Sequence, residues 1–409
     1  MKRAQRSDVF RFLLIVLIIV HFVEFSIYSS IVTYQLKFLI PLIMVIEWLV
    51  RIRFKVKFRI NSAPLFFMVY ILFVVLVLSL LNTENESEAI IQGLSYVILL
   101  IVSFLVVPNY IETKEDYVKF LKLFFIMFFM LLLANVILGR LMPGVAFTNF
   151  NNRLRYRGVF GNPNSLGFFS MMGLIVSISL TVLTSKKHYL YSGILFLSLI
   201  YYSDSNTSLI ASMLFIVSMV LIWGLFKGNS LARVLSILST TLLLTSIILG
   251  VIWISFNSNV YSLERVDEIF HSRVSRSLIS ISDYDFLDFL IGKGIASRVT
   301  NPHNAVINTL VELGLLGLTM IYGIKLYIAG YALIVIKNSA NIFCQKMMMI
   351  SVSMLLTFFV FGIAESVSIS LGNIVSVFMW ASFGAQMGLA QKGRYQRKGC
   401  HNEKRYVVR

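Results

Sequence analysis

The sequence predicts an all-α fold: a polytopic membrane helical bundle of about 12 transmembrane helices with a large external loop, in a single integral membrane domain over residues 1–409. Of its 409 residues, 58% are hydrophobic and only 13% are charged, and the mean hydropathy is +0.83. Such a composition excludes a water-soluble globule. Apolar segments of roughly 20 residues, long enough to cross a bilayer core, also recur along the chain.

The predicted spans are joined by short connections except at the longer loops 139–164 and 257–304. The second and seventh are short, and the tenth is long enough to be broken or strongly tilted. The basic N-terminus has no small-residue cleavage site before the first span, so we expect a retained anchor. In chain order the spans lie near 12–31, 36–50, 64–81, 89–107, 120–138, 166–184, 190–202, 209–226, 234–256, 305–335, 347–365 and 369–390.

Charge predicts the orientation, because loops rich in Lys and Arg stay in the cytoplasm. Both termini are basic, including the tail 391–409, so we expect both to be cytoplasmic. Much of the net charge of +17 then serves topology and does not indicate a nucleic-acid partner. Cytoplasmic loops would carry Arg51, Arg53, Lys55, Lys57, Arg59, Lys186, Lys187, Lys227, Arg233, Lys337 and Lys346, and an external loop Glu84, Glu86 and Glu88.

Two predicted external loops, 139–164 and 257–304, break this rule because they are rich in arginine. Long loops are translocated largely regardless of charge, so these arginines either face solvent and anionic lipid or bind phosphate. Their basic residues are Arg140, Arg153, Arg155, Arg157, Arg265, Arg273, Arg276, Lys293 and Arg298.

Each of these loops ends in an Asn-Pro turn that opens an apolar helix. The first turn lies within the segment from Arg157 to Gly167, which reads R-G-V-F-G-N-P-N-S-L-G. Asn164, Ser165 and Asn304 are candidates to cap the two helix starts, and exposed helix N-termini attract anions. For the first turn alone, capping and tight glycine packing would be a sufficient explanation.

The second turn, Asn301-Pro302-His303-Asn304, leads through Glu312 to Gly314 and Gly317. A histidine at a helix mouth can exchange a proton near neutral pH, although an isolated interfacial histidine is commonly structural. Glu312 would lie about two turns into the membrane, where an unpaired carboxylate costs about 2 to 3 kcal/mol. We therefore expect it to have a partner, with Arg157, Arg265 and Arg273 as candidates.

Together these segments resemble the O-antigen polymerase and O-antigen ligase family of bacterial polysaccharide-assembly proteins. Members of that family have ten to twelve membrane helices, a large late external loop, an R-x-G-x-F-x-N-P-N-x-x-G segment and a P-H-N segment followed by E-x-G-x-x-G. The likeness covers roughly the C-terminal two thirds of the chain. Its matching residues are Arg157, Gly158, Phe160, Asn162, Pro163, Asn164, Gly167, Pro302, His303, Asn304, Glu312, Gly314 and Gly317, with Leu290-Ile291-Gly292-Lys293-Gly294 resembling the family's G-x-G turn.

The resemblance implies inverting glycosyl transfer from a polyprenyl-diphosphate-linked oligosaccharide to an acceptor hydroxyl, at the outer face of the cytoplasmic (inner) membrane. His303 would be the general base, and Arg157 and Arg265 would stabilise the departing diphosphate. Membrane lipid, a flippase and a chain-length regulator are the other partners it implies. The candidate substrate-binding residues are Arg155, Asn162, Asn164, Arg273, Arg276, Asn304 and Glu312.

One departure concerns the segment before the eighth span, where many family members carry a Ser-Arg pair. This chain reads Y-S-D-S-N-T-S over 202–208, with Asn206 where an arginine is expected. Either another arginine substitutes for it or the substrate differs.

The scheme needs no metal or other cofactor, and the sequence offers no Cys/His cluster, P-loop or nucleotide-binding glycines. Cys344 and Cys400 map to the cytoplasm, so no external disulfide is expected. Among the alternatives, the missing Ser-Arg pair slightly favours a polymerase over a ligase that transfers glycan to lipid A core or protein. A polysaccharide-lipid transporter or flippase is a further alternative, disfavoured because no repeated halves are evident. A purely structural scaffold is less favoured still.

Overall fold

A computed structural model describes residues 2–56, 58–83, 85–150, 153–238, 276, 279, 281, 284–297, 303–365 and 369–406. Within these residues the fold is all-α, as the sequence predicts, apart from one two-stranded hairpin. Eight of its helices are long and apolar enough to cross a membrane. The protein is therefore a multi-pass membrane protein.

The helices follow the order of the predicted spans. Within α4, residues Val102–Val106 form a π-helical stretch. In chain order the elements are α1 (Lys2–Glu24), α2 (Ile31–Arg51), α3 (Ala63–Leu81), α4 (Glu86–Tyr110), α5 (Lys114–Leu141), α6 (Pro143–Ala146), β1 (Phe147–Phe150), β2 (Arg153–Tyr156), α7 (Pro163–Thr184), α8 (His188–Tyr202), α9 (Asn206–Lys227), α10 (Phe286–Ile291), α11 (Ala305–Asn338), α12 (Ile342–Ala364) and α13 (Ile374–Tyr406).

The eight apolar helices are α2, α3, α4, α5, α7, α9, α11 and α12, and each coincides with a predicted span. Three other predicted spans coincide with α1, α8 and α13, of which α8 has only 15 residues. Residues 230–238 are helical, but most of the predicted span 234–256 lies outside the described residues. The prediction of about 12 spans is thus confirmed for eight by length and composition.

The predicted boundary between the first two spans is wrong. We expected the first span to reach residue 31, but α1 ends at Glu24 and α2 begins at Ile31. Ser30 and Thr33 form a reciprocal capping box, in which the Ser30 side chain accepts from the Thr33 backbone N–H. This local cap starts the second helix earlier than hydropathy suggests.

The connections form two faces of the bundle. One, here called the motif face, holds both Asn-Pro turns: Gly161 N–H donates to Phe25 O at 2.9 Å, and Thr83 Oγ1 donates to Ile295 O at 2.6 Å. At the other, the basic face, Asn61 N–H donates to Gln391 Oε1 at 2.6 Å. The motif face comprises residues 25–30, 82–85, 142–162, 203–205, 284–297, 303–304 and 365–373, and the basic face 52–62, 111–113, 185–187, 228–229, 339–341 and 391 onward, within the described ranges.

The helix opened by the first Asn-Pro turn is the most enclosed of the eight. In the apolar 18-residue stretch of α7, 78% of the residues are buried, against 28% in the corresponding stretch of the peripheral helix α3. Helix α12, with 72% buried, packs against both α7 and α11, and Phe168 meets Phe361 at a ring-centroid distance of 6.4 Å. The two helices that begin at Asn-Pro turns thus share a neighbour in the core.

Candidate functional site

The first Asn-Pro turn is held by a side-chain cap. Asn162 is the N-cap of α7, and its side-chain oxygen accepts from Asn164 N–H at 2.8 Å. The cap is therefore Asn162, and not Asn164 or Ser165 as the sequence suggested. Pro163 occupies the first helical position, where its missing N–H costs nothing. Asn162 is exposed at the mouth of the turn.

Arg157 spans the loop that precedes this cap. Its Nε donates to Val145 O at 2.9 Å, and its Nη1 donates to Gly161 O at 3.0 Å. These two bonds tie α6 to the Asn-Pro turn. The guanidinium has five N–H donors, so it can hold these carbonyls and still present donors to an anion at the helix start.

Arg155 lies on β2 and fastens the hairpin to two helix starts. Its Nη2 donates to Asn164 Oδ1 at 2.8 Å and to Asp204 O at 2.9 Å, while its Nε donates to Ser203 O at 3.0 Å. Burial lowers the pKa of this guanidinium, and the nearby Asp204 carboxylate opposes that shift. An arginine therefore does reach the 203–206 turn, although it comes from the hairpin and not from position 206.

The first turn depends on a residue that the sequence analysis did not single out, Asn135 of α5. Asn135 is fully buried, and its Oδ1 accepts from Val159 N–H at 2.7 Å. Gly158 adopts a φ of +61°, and a Cβ there would overlap the Asn135 side chain. The signal for Asn135 was its presence as a polar residue inside an apolar span, which is costly without a partner.

The second Asn-Pro turn begins α11. Asn304 is the N-cap, and its Oδ1 accepts from the backbone N–H groups of Val306 at 2.9 Å and Ile307 at 3.2 Å. His303 precedes the cap, is half-buried and has a φ of +49°. A non-glycine residue in this left-handed region is uncommon, and such strain is found often at functional sites. Asn301 and Pro302 lie outside the described residues.

Glu312 is 2% exposed and lies beside a break in α11. Its Oε2 accepts from Tyr96 Oη at 2.8 Å. We expected an arginine partner, but Arg157 is engaged with the carbonyls described above, and Arg265 and Arg273 lie outside the described residues. A buried tyrosine hydroxyl thus supplies a partner that the sequence reasoning missed.

The break in α11 is at Gly314, which has a φ of +64°, so the long tenth span is broken as the sequence allowed. Gly292, at φ +84°, passes so close that a Cβ would lie 2.6 Å from the Glu312 carbonyl carbon. Gly294, at φ +103°, likewise approaches the carbonyl of Ser79. The G-x-G turn therefore lets the chain pass between the end of α3 and the break.

Two further ionisable residues of the 284–297 segment surround this break. Tyr284 Oη donates to Val311 O at 3.3 Å, and Lys293 Nζ lies 4.7 Å from the Tyr284 ring centroid. Burial raises the pKa of Tyr284, and the Asp288 and Glu312 carboxylates raise it further. A cation, a phenol and a buried carboxylate are thus held near the start of α11.

The sequence analysis also did not predict a buried ion pair. Lys37 of α2 donates to Glu24 at the end of α1, and Lys37 is only 4% exposed. His21 Nδ1 lies 3.8 Å from Glu24 Oε2. A single lysine within an apolar segment was the available signal.

Three sequence-predicted arginines remain, of which only Arg276 is among the described residues. Arg276 is half-buried in a segment of which only scattered residues are described, and Arg265 and Arg273 are outside it altogether. Arg155, Arg157, Asn162 and Asn164 form one cluster, and His303, Asn304 and Glu312 belong to the α11 start. Both clusters lie on the motif face.

Comparison with known proteins adds no family. No protein-family model matches the chain. No curated protein matches it either.

Chemically, the two clusters complement each other. The first offers a helix N-terminus and guanidinium donors, which favour a phosphate or other anion. The second offers an imidazole in a strained backbone position, with a carboxylate, a phenol and an ammonium behind it. The first cluster therefore suits an anionic group, and the second suits a proton transfer.

Proposed function

We propose that the protein is a polysaccharide repeat-unit polymerase of the O-antigen or capsule type, acting at the outer face of the cytoplasmic membrane. The observation that carries this proposal is that the Arg157 and His303 turns both lie on the face opposite the basic loops. The positive-inside rule places the basic face, and with it both termini, in the cytoplasm. The motif face is then extracytoplasmic, where an undecaprenyl-type diphosphate carrier would present its glycan.

In this scheme the bond between the donor sugar C1 and the diphosphate oxygen breaks, and its electron pair stays on the diphosphate. The acceptor hydroxyl oxygen bonds to C1 from the opposite side, which inverts the configuration. The hydroxyl proton passes to a ring nitrogen of His303. Arg157 and the N-terminus of α7 stabilise the charge that grows on the leaving oxygen.

The position of Arg155 supports this scheme despite the missing Ser-Arg pair. Its guanidinium bonds the Ser203 and Asp204 carbonyls, beside the position where family members would have their arginine. Arg155 therefore brings positive charge to this turn and preorganises it beside Asn164. A chain lacking an arginine at 206 retains a cation there.

Reconstitution tests the proposal directly. Full-length protein in liposomes, supplied only with lipid-linked repeat units, should produce a ladder of elongated glycans. Arg157→Ala should lower the elongation rate by about 100- to 1,000-fold, the usual effect of removing one preorganised donor. Arg140→Ala is the matched control, because Arg140 is an exposed arginine at the end of α5 on the same face.

The other outcomes identify the alternatives. Product only after addition of a lipid A core or protein acceptor would make the protein a ligase. Substrate-dependent ion flux without elongation would make it a transporter. Equal elongation by Arg157→Ala and wild type would overturn the phosphate role of Arg157.

A further inference from the structure

A cavity of about 380 Å³ opens on the basic face, remote from both Asn-Pro turns. Three parts of the chain enclose it: the connection between α2 and α3, the connection between α4 and α5, and the end of the apolar part of α13. Its walls include Phe58, Arg59, Ile111, Glu112, Leu389 and Lys392.

The charged groups of the cavity carry a net positive charge, since two cations face one carboxylate. Arg59 Nη2 donates to Glu112 Oε1 at 2.8 Å, and Lys392 Nζ lies 4.0 Å from Glu112 Oε2. The side chains of Arg59 and Lys392 are 37% and 41% exposed, against 22% for Glu112. The cations therefore reach the mouth, while the carboxylate lies deeper and holds them in place.

Apart from Asn61, the rest of the lining is apolar. Ile111 and Leu389 are 3% and 9% exposed and form the floor, while Phe58 is 60% exposed at the rim. The cavity lies where helices end, at the level at which a bilayer changes from headgroups to acyl chains. A cationic mouth above an apolar floor fits a molecule with an anionic head and a hydrocarbon tail.

We propose that this cavity binds one anionic phospholipid of the adjoining leaflet, with its phosphate between Arg59 and Lys392 and its glycerol and first acyl carbons against Ile111 and Leu389. Basic pockets between membrane helices are suited to anionic headgroups. A free phosphate would satisfy the cations but leave the apolar floor uncovered. Glu112 competes with the lipid phosphate for the same two cations and so limits the affinity. The proposal is independent of the proposed polymerase activity.

Native mass spectrometry of the full chain in neutral detergent tests this, with phosphatidylglycerol and phosphatidylcholine as probes. We expect wild type to retain one phosphatidylglycerol in preference to phosphatidylcholine. The double variant Arg59→Gln/Lys392→Gln should bind phosphatidylglycerol about 30-fold more weakly, which is about 2 kcal/mol at 1.4 kcal/mol per decade. The matched control is Lys227→Gln/Arg233→Gln, which removes one exposed lysine and one exposed arginine elsewhere on this face and should bind like wild type.

Glu112→Gln provides a second test with the opposite sign. It removes the competing carboxylate without enlarging or emptying the cavity, so phosphatidylglycerol should bind about fivefold more tightly. This arm decides the matter if the double variant does not fold. Unchanged or weaker binding by Glu112→Gln, an equal loss in the control pair, or full displacement of the lipid by millimolar inorganic phosphate would each overturn the proposal.

Discussion

The two Asn-Pro turns share a sequence pattern but are built differently. At the first, Asn162 caps α7 while Arg155 and Arg157 donate to backbone carbonyls on either side. At the second, the Asn304 side chain accepts from two backbone N–H groups of the helix start. The first turn thus uses its cations as structural fasteners, whereas the second leaves its histidine outside the cap.

The difference extends to the helices behind the turns. Helix α7 is regular and largely enclosed, with 78% of the residues in its apolar 18-residue stretch buried. Helix α11 is broken at Gly314, and Glu312 is buried beside the break. An asparagine cap therefore begins a regular, enclosed helix in one place and a broken helix, preceded by a histidine at positive φ, in the other. A substitution at the first turn should lower both stability and activity. A substitution at the second turn should lower activity much more than stability.

The largest effect is expected for His303→Ala. A positioned general base contributes about 100- to 10,000-fold in rate, so elongation in liposomes should fall by that factor. Because the Asn304 side chain still accepts from two backbone N–H groups at the start of α11, the change should lower the rate much more than the melting temperature in detergent.

The matched control is His188→Ala, an exposed histidine that begins α8 on the basic face. It should alter neither rate nor stability. A His303→Ala protein that elongates at the wild-type rate would remove the second turn from the chemistry. A protein that loses rate and stability together would make both turns structural.

Arg155→Ala should act on folding first. It removes charge-assisted hydrogen bonds to Ser203 O, Asp204 O and Asn164 Oδ1, and each such bond is worth about 1.5 to 3 kcal/mol when buried. Arg155 is 12% exposed, so solvent replaces little of this. We expect a loss of about 3 kcal/mol in the free energy of unfolding, measured by denaturant titration in detergent.

Arg155→Lys should recover part of that stability, since a lysine keeps the charge but cannot fork between three acceptors. Arg140→Ala, on the same face, should be neutral. If Arg155→Ala is as stable as wild type, the contrast between a first turn fastened by arginine and a second turn capped by Asn304 fails.

The sequence predicted well what depends on local chemistry. Apolar runs located the helices, and the Asn304 cap and the broken tenth span follow from residues adjacent in the chain. The hairpin formed by β1 and β2 was not predicted, and its Tyr156 packs against Gly139 of α5, a contact between residues distant in the chain. Nor could the sequence choose Asn162 over Asn164 as the cap, since both are good capping residues.

Hydrogen-bond partners that are far apart in the chain were not predicted, for a different reason. Asn135 and Val159 are 24 residues apart, and Tyr96 and Glu312 are 216 apart. Polarity within an apolar span shows that a buried group needs a partner but does not identify it. The sequence reasoning considered only arginines for Glu312, and two of them, Arg265 and Arg273, lie outside the described residues, so that prediction stays untested. The observed donor is a neutral hydroxyl, which is cheaper to bury than a charge.

The smallest effect that still tests the comparison is at Tyr96. Tyr96→Phe removes the hydroxyl that donates to Glu312 Oε2, leaving a buried carboxylate with one fewer donor. We expect a loss of about 2 kcal/mol in unfolding free energy. Glu312→Gln should lose less stability than Tyr96→Phe, because a side-chain amide oxygen still accepts from Tyr96 Oη. Tyr191→Phe is the control, since Tyr191 is 67% exposed on α8 and should tolerate the change. If Glu312→Gln keeps its stability but loses elongation, the carboxylate charge acts on the substrate through the second turn; if it keeps both, Glu312 only anchors the break in α11.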